Sequence, residues 1–588
     1  MESVWRVYAK RADFASIAKQ FNIDQVTARV MRNRDVVGDA AIKMYLNGTI
    51  ADTHDGSLMK DMDKACKIIS EKINSGRKIR IVSDYDVDGV TSNYILLDGL
   101  KNAGAMVDYE IPDRINDGYG INERIIENAY ADGIDTIITC DNGIAAFPAI
   151  ELAKKYGMTV VVTDHHEVPY DVDDAGEKVY RLVPADAVVD IKREDCEYPF
   201  KCLCGAGVAY KFIRQLYSVM GISWTDETRY MDILAIGTVC DVMELVDENR
   251  IFVREGLKLL EHTHNIGLRT LIDLCGLSGK KLYAHNLGFI IGPCINATGR
   301  LDTAKEGLKL LLCEDEKKAT EIATKLVKLN EERKEMTNKG VDLATLLAKE
   351  QYVADDVLVI YLPDLHESIA GLVASKIKDK FYKPTLIFTD AKDGLLKGSG
   401  RSIEGYHMFD ALNNHKDLFV KYGGHALAAG FSIQKDKLDE LRTVLNADKF
   451  LNDEILTPKV MIDVAMPFSY VSYDLIDDLE KLEPFGNGNE KPVFAQSNLR
   501  LINGRLLGKD NRYIRLTFAD DKGNRVEAME FDAAGFIDCI KLWFSEQECD
   551  KMLKGQPNEI VLDVCYYPVV NEYMGRRSIQ IKPIKYHR

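Results

Sequence analysis

Three aspartates fall at alternate positions in the stretch Ser83-Asp84-Tyr85-Asp86-Val87-Asp88-Gly89. Carboxylates this close repel one another by roughly 1 kcal/mol per pair in water, and about four times that near a protein surface. A cation or a row of N–H donors must offset the repulsion, unless the stretch is a solvated acidic turn. The spacing also opens an EF-hand calcium loop, but loop position twelve is Ile95 instead of Glu, and the residues in front read as a strand. Two later apolar runs end in Asp141-Asn142-Gly143 and in Asp164-His165-His166. Pooled, Asp84, Asp86, Asp88, Asp141 and His165 form a candidate ligand set with His166 beside it. Asp241, after the apolar run 235–240, is either a further member or a helix cap. Oxygen donors outnumber imidazole, which suits Mn²⁺ or Mg²⁺ better than zinc. The carboxylates exceed what one ion requires, and two ions about 3.5–4 Å apart is the arrangement that drives in-line attack of water on phosphorus. His166 could then donate to a phosphate oxygen or to the leaving oxygen.

The elements that must position these groups alternate in period. Residues 79–82, 134–140 and 158–163 are short apolar runs rich in β-branched side chains and read as buried strands. Helical patterns at 91–100 and 147–156 separate them, with Thr91 or Ser92 as N-cap of the first and Gly89 at the turn before it. Strands joined through helices imply a parallel sheet, and such sheets bind ligands beyond the carboxyl ends of their strands. Three successive strands ending in acidic or imidazole groups favour the cation over the solvated turn. The intervening loop 112–120 carries Arg114, Tyr119 and two glycines, as a nucleotide-contacting loop would, although it also reads as an ordinary turn.

With 588 residues the chain exceeds a single core, and three or four domains are expected. Its 46% hydrophobic and 29% charged content is that of a soluble globular protein. No apolar run is long enough to span a membrane, no signal-peptide core opens the chain, and the 12 cysteines form no C-x-x-C pair. A cytoplasmic protein with reduced thiols is expected. The net charge of −16 argues against a protein that coats nucleic acid, but not against a local basic groove for one strand.

Residues 1–75 read as an N-terminal helical region with Phe14, Ile17, Ala18 and Phe21 at helical spacing; Arg29, Arg32 and Arg34 are expected on a solvated face. Residues 302–350 form a long charged amphipathic stretch suited to a connecting helix. In the segment Gly398-Ser399-Gly400-Arg401, backbone N–H groups, a hydroxyl and a guanidinium suit a phosphate, and Gly423-Gly424-His425 lets a backbone approach closely. From 453 onward, short alternating strands such as 513–518 and 526–531 suggest a small antiparallel barrel. Residues 500–525 carry seven Lys/Arg against three Asp, beside Tyr513 and Phe518, a composition suited to single-stranded nucleic acid or to a solvated barrel face.

The segments SDYDVDG, TCDNGI, TDHHE and GTVCDV resemble the motifs of the DHH phosphoesterase superfamily. Gly292-Pro293-Cys294-Ile295-Asn296-Ala297-Thr298-Gly299-Arg300 resembles the GPRINAAGR-like segment of RecJ-type exonucleases, departing at Cys294 and Thr298. The segments at 365–375, 398–402 and 423–426 are similar to the DHHA1 domain, and LEPFGNGN at 482–489 is similar to the turn into the RecJ OB domain. The resemblance implies a DHH phosphoesterase domain at 76–301, a connecting helix at 302–350, a DHHA1 domain at 351–452 and an OB-like barrel at 453–588. It adds Asp241 to the ligands, and assigns Arg114, Arg300, Ser399 and Arg401 to a pocket for a 5′ end, with Tyr119, Asn296, His366, Gly424 and His425 as further substrate contacts. Val82 stands where some members carry a metal-binding His, a position Asp84 would fill. The implied activity is two-metal, Mn²⁺- or Mg²⁺-dependent 5′→3′ hydrolysis of single-stranded DNA in repair and recombination, with a single-strand-binding protein and a helicase as partners. A phosphodiesterase for short oligonucleotides or cyclic dinucleotides lacks the appended barrel. A non-catalytic replication scaffold would have lost the acidic ligands.

Overall fold

A computed structural model describes residues 3–173, 176–448, 450–573 and 575–588. The chain divides into two compact units. The larger comprises Thr49–Leu456 with Gly486–Gly488; the other joins the chain up to Gly48 with Thr457–Phe485 and Asn489–Arg588. The expected N-terminal region 1–75 is therefore split between them.

The larger unit opens on a five-stranded parallel sheet. Its strands are Lys78–Ser83, Met106–Glu110, Thr136–Cys140, Thr159–Asp164 and Ala187–Asp190, and the second lies outside the first, giving the order 2-1-3-4-5. Strands one, three and four are buried on both faces, which is why they read as continuous apolar runs with no alternation. One layer of core, from Val82 and Ile137 to Val160 and Val162, packs Ile125, Ile126, Ala149 and Ile150 of the crossover helices against the sheet. In this order the connections leave in opposite directions between the first and third strands, which opens a crevice at their carboxyl ends. Asp84, Asp86 and Asp88 follow the first of these strands and Asp141 the third.

The helix after the first strand is Val87–Asn102, starting four residues ahead of the expected 91–100. Its N-cap is Asp86, whose carboxylate accepts the Asp88 and Gly89 N–H groups at 2.9 and 3.1 Å, and not Thr91 or Ser92. Thr91 instead turns its hydroxyl back to the Val87 carbonyl. The candidate ligands are thus built into a helix start and not a loop.

The connecting stretch 302–350 contains a short helix, Lys305–Leu311, and then one helix of 35 residues, Glu316–Glu350. Beyond it lies a second five-stranded sheet, in the order Phe419–Gly424, Ala428–Ile433, Leu396–Arg401, Thr385–Asp390, Leu358–Tyr361. The glycine-rich segment at 398–401 is an interior strand of this sheet, paired on both sides, so its backbone N–H groups are consumed by the ladder. Its glycines answer to packing: a Cβ at Gly398 would sit 2.1 Å from the Phe431 ring. Ser399 and Arg401 share the opposite face through the two-residue period.

In the other unit, strands Phe494–Leu507, Tyr513–Ala519, Arg525–Glu530, Arg576–His587 and Val561–Tyr573 close a barrel, because Phe494–Leu507 also pairs with Val561–Tyr573. The barrel is not wholly antiparallel: Arg525–Glu530 and Arg576–His587 run parallel, with two helices inserted between the strands. The helix Phe14–Phe21 lays Phe14, Ile17 and Phe21 against the barrel core, and Val4–Val7 pairs with Lys459–Ile462. Arg34 is not solvated. It makes a bidentate pair with buried Asp463 at 2.6 and 3.0 Å, while Arg29 lies over Phe14 and Arg32 pairs with Asp35.

Candidate metal centre and arginine cluster

All six expected ligands converge at the crevice. Ligand atoms of three triads lie within 4.8 Å of one another: Asp84, Asp86 and Asp141; Asp88, His165 and Asp241; and Asp141, His165 and His166. Asp141 and His165 each belong to two triads. His165 Nε2 faces three carboxylates, at 3.0 Å from Asp141, 3.6 Å from Asp241 and 3.7 Å from Asp88. Asp141 is held at φ 61° and Val242, beside Asp241, at φ 59°. The left-handed region is tolerable for Asp but a genuine outlier for a β-branched residue, and such strain gathers at functional sites.

The carboxylates raise one another's pKa. Burial, with the neighbouring Asp86 charge, pushes Asp84 well above the usual carboxylate range and Asp88 up to about 6. Burial and the charges of Asp88 and Asp86 raise Asp141 and Asp241 in the same way. Asp88 is partly compensated, because Gly205 and Ala206 at the start of the helix Gly205–Met220 donate to its two oxygens at 2.5 and 2.9 Å. Asp241 caps the carboxyl end of the helix Met231–Cys240, where a negative charge is disfavoured. Asp84 Oδ1, Asp241 Oδ2 and His165 Nδ1 are buried without a hydrogen-bond partner. Burial, and then the adjacent His166 charge, holds the His165 imidazole neutral with its pKa down at about 3, the form that ligates a metal. Orphaned carboxylate oxygens beside a neutral imidazole fit divalent cations of the Mn²⁺ or Mg²⁺ class.

His166 behaves differently. Burial pulls its pKa down, but the Asp164 carboxylate on Nδ1 at 2.8 Å more than offsets this and raises it to about 9. Asp164 also accepts the Ile144 and His165 N–H groups, so it orients both histidines. The Tyr119 hydroxyl donates to the Asp141 carbonyl at 2.9 Å and lies 3.2 Å from His166 Nδ1, while the residue stays 53% exposed.

A second cluster is all cationic. The Arg114 guanidinium lies 4.8 Å over the Tyr85 ring. Burial and the charges of Arg114 and Arg333 bring Arg300 down to about 10, and burial with Arg114 lowers Arg401. Arg401 Nη1 donates to Ser399 Oγ at 3.0 Å and to the Gly400 carbonyl at 2.8 Å. Arg300 donates to the Ser368 carbonyl, and the Ser368 hydroxyl contacts His366 Nδ1 at 2.7 Å. Asn296 is four residues before Arg300 on the helix Gly292–Leu301, on the same side of it. A Cβ at Gly299 would meet the Tyr85 carbonyl oxygen at 2.6 Å, so glycine there lets this helix abut the Asp84–Asp86 loop. Gly424, at φ 153°, and exposed His425 sit at a hairpin turn, and no hydrogen bond or ion pair among the described residues ties the His425 side chain to the arginines.

Sequence reasoning did not assign Asp164, Gly205, Arg333 or Asn487. Asp164 was legible as the acid before two histidines. Asn487 Nδ2 donates to the Val242 carbonyl at 2.8 Å and its own carbonyl accepts Leu245 N–H at 2.7 Å, clamping the turn after Asp241 from far along the chain. All 12 cysteines are free thiols, and no helix among the described residues is long and apolar enough to cross a membrane.

The chain matches the family models described as DHH family, N-terminal domain, at residues 78–238, DHHA1 domain at 354–448, and RecJ OB domain at 462–584. It is 34% identical over 524 residues to the single-stranded-DNA-specific exonuclease RecJ of Bacillus subtilis, covering 89% of this chain and 64% of that protein. To the RecJ of Escherichia coli it is 32% identical over 546 residues, covering 89% of each. The crystal structure of RecJ in complex with Mn²⁺ from Thermus thermophilus shares the fold, with a TM-score of 0.81 at 24% identity over 100% of this chain and 79% of that one. The Mg²⁺ complex gives a TM-score of 0.75 at 24% identity, over 100% and 78%.

Proposed function

The chain belongs to the RecJ family of single-stranded-DNA-specific exonucleases, and on that premise we propose that it degrades single-stranded DNA from the 5′ end with two divalent cations, Mn²⁺ or Mg²⁺. One observation carries the polarity: the acidic and arginine clusters meet at a single residue. Tyr85 lies between Asp84 and Asp86, its ring under Arg114 and its carbonyl against the helix that bears Arg300. A terminal phosphate held by arginines therefore brings the adjoining phosphodiester toward the acidic cluster.

Asp84, Asp86, Asp88, Asp141, His165 and Asp241 would hold the cations, with Asp141 and His165 central because each serves two triads. When bound, the cations polarise the phosphate and lower the pKa of an attacking water. The chain's own groups do the rest. Asp164 keeps His166 protonated so that its ring donates to a phosphate oxygen or to the leaving oxygen. Arg114, Arg300 and Arg401, with Ser399, bind the 5′ phosphate by charge-assisted hydrogen bonds. Tyr119, Asn296, His366, Gly424 and His425 would contact the strand. On the barrel, Phe531 is 54% exposed, Tyr513 meets it edge-on, and Lys582 and Arg512 lie over the two rings, a stacking and charge platform for bases and phosphates. The biological setting we infer is repair and recombination in the cytoplasm, with a single-strand-binding protein and a helicase as partners.

The test is digestion of 3′-labelled single-stranded and duplex oligonucleotides with Mn²⁺, Mg²⁺ or chelator. Expected is metal-dependent loss of single strands from the 5′ end, with duplex spared. Trimming from the 3′ end, or full activity in chelator, overturns the reading.

A further inference from the structure

Two of the free thiols stand together. Cys275 Sγ and Cys294 Sγ lie 4.0 Å apart across 19 residues of chain. Cys275 caps the carboxyl end of the helix Ile266–Leu274 and is half-buried, while Cys294 is buried in the helix Gly292–Leu301, where the family segment carries arginine. Cys294 Sγ also accepts the Asn330 amide at 3.3 Å. Asn330 Oδ1 in turn accepts Arg333 Nε and Nη2 at 3.0 and 2.9 Å. Arg333 is one of the cations that depress Arg300. Hydrogen bonds therefore run from the half-buried Cys275 through Cys294 and Asn330 to Arg333, whose charge acts on Arg300.

We propose that Cys275 and Cys294 are a thiol–disulfide modification site, oxidised reversibly by low-molecular-weight disulfides, and that closing the bridge weakens strand binding through Asn330 and Arg333. The Cys275 thiolate attacks one sulfur of a small disulfide, expelling one thiolate and leaving a mixed disulfide on Cys275. Cys294 sulfur then attacks the Cys275 sulfur and expels the second small thiolate, which takes the Cys294 proton. Two protein thiols and one small disulfide become one protein disulfide and two small thiols, with no other oxidant. The attacking and resolving roles follow from position. Cys275 is the more exposed of the two residues, the hydrogen bond between the two sulfurs and the Lys334 charge draw its thiol below the usual range, and the Lys334 ammonium favours the thiolate. Cys294 cannot be reached first. Closing the bridge brings the sulfurs from 4.0 Å to about 2.05 Å. Cys275, at a helix end, has the freedom to rotate, and Cys294 must draw away from Asn330. Asn330 then loses its acceptor, and the carboxamide that holds the Arg333 guanidinium is free to turn.

The effect on strand binding rests on the proposed reading of the arginine cluster, whereas formation of the bridge does not, so the two are measured separately. The full-length protein, reduced and then equilibrated with oxidised glutathione, is alkylated and digested for mass spectrometry. A peptide pair joined through Cys275 and Cys294, two mass units lighter than the dithiol and cleaved by dithiothreitol, is expected. Cys275→Ser and Cys294→Ala each abolish it, and the two variants guard against one failing to fold. Alkylation of both thiols after treatment, or a stable glutathione adduct on Cys275 without the bridge, overturns the site. On a 5′-phosphorylated single strand, oxidised protein should show a KM raised about threefold to tenfold, the effect of displacing one cation near a phosphate site, with kcat unchanged. Dithiothreitol should restore it, and Cys275→Ser should not respond. A bridged protein with an unchanged KM overturns the coupling.

Discussion

Replacing Arg401 with alanine probes end recognition without touching the acidic cluster. Arg401 Nη1 is committed to Ser399 and the Gly400 carbonyl, which leaves the donors on Nη2 and Nε for a phosphate. Burial and the Arg114 charge already lower its pKa, and no carboxylate among the described residues pairs with this guanidinium. A charge-assisted hydrogen bond contributes about 1.5–3 kcal/mol, and each 1.36 kcal/mol is tenfold, so one such bond lost is about 10- to 150-fold. The expected loss lies toward the upper end, because a bound phosphate also relieves repulsion among the three arginines and the variant has less to relieve. A 5′-hydroxyl strand lacks the doubly charged terminus and should slow less than about threefold. Arg401→Lys keeps the charge but not the planar fork, and should fall between, about tenfold. The assay compares kcat/KM for 3′-labelled strands bearing a 5′-phosphate or a 5′-hydroxyl, in wild type and both variants. Equal slowing of the two substrates would refute the assignment of Arg401 to the terminal phosphate, and so would an undiminished preference for the phosphate.

Asp141→Asn, which suits the left-handed backbone at φ 61° better than alanine, should cut single-turnover cleavage at least about a thousandfold while the fold persists; near-normal cleavage contradicts its place in the metal centre. In chelator, His166 has its pKa raised from an unfolded value near 6.5 to about 9, so its stabilisation is complete below pH 6.5 and is lost as pH rises to 9. The shift of about 2.5 corresponds to about 3.4 kcal/mol, which solvent screening of a ring 40% exposed reduces to about 1–2 kcal/mol. The thermal transition that Mn²⁺ shifts should therefore fall in temperature between pH 6.5 and 9 in chelator. Asp164→Asn should flatten that fall, and a fall that survives the substitution counts against the Asp164–His166 pair. On the barrel, Arg512→Ala and Lys582→Ala should each lower the salt dependence of strand binding by about 0.7 in the log–log slope, and Phe531→Ala should weaken binding by about 1–3 kcal/mol with the slope unchanged. Unaltered slopes and affinity would remove this face from strand binding. Truncation at 453 is a poorer test, because it strips the N-terminal helices of the core they pack on.

What the sequence determined by itself is the local chemistry. Alternating aspartates after a β-branched run, repeated at the ends of two later strands, were enough to mark a parallel sheet and a metal centre, because acid–acid repulsion and a strand's need for burial are short-range constraints written into neighbouring residues. The glycine-rich segment at 398–401 shows the limit of that reading: composition suggests backbone N–H groups open to a phosphate, whereas strands on both sides use them, and a phenyl ring 2.1 Å from where a Cβ would lie dictates Gly398. Arg34 reads as solvated from its neighbours because its partner, Asp463, is 429 residues away. Asn487, Arg333 and the Cys275–Cys294 pair were invisible for that reason too. Their roles arise from which groups the fold brings within 4 Å, and no spacing along the chain encodes that. The tertiary structure alone decided that the helices between Phe14 and Asn47 complete the barrel core, and that Tyr85 joins an acidic cluster to a cationic one, since packing between distant segments sets both.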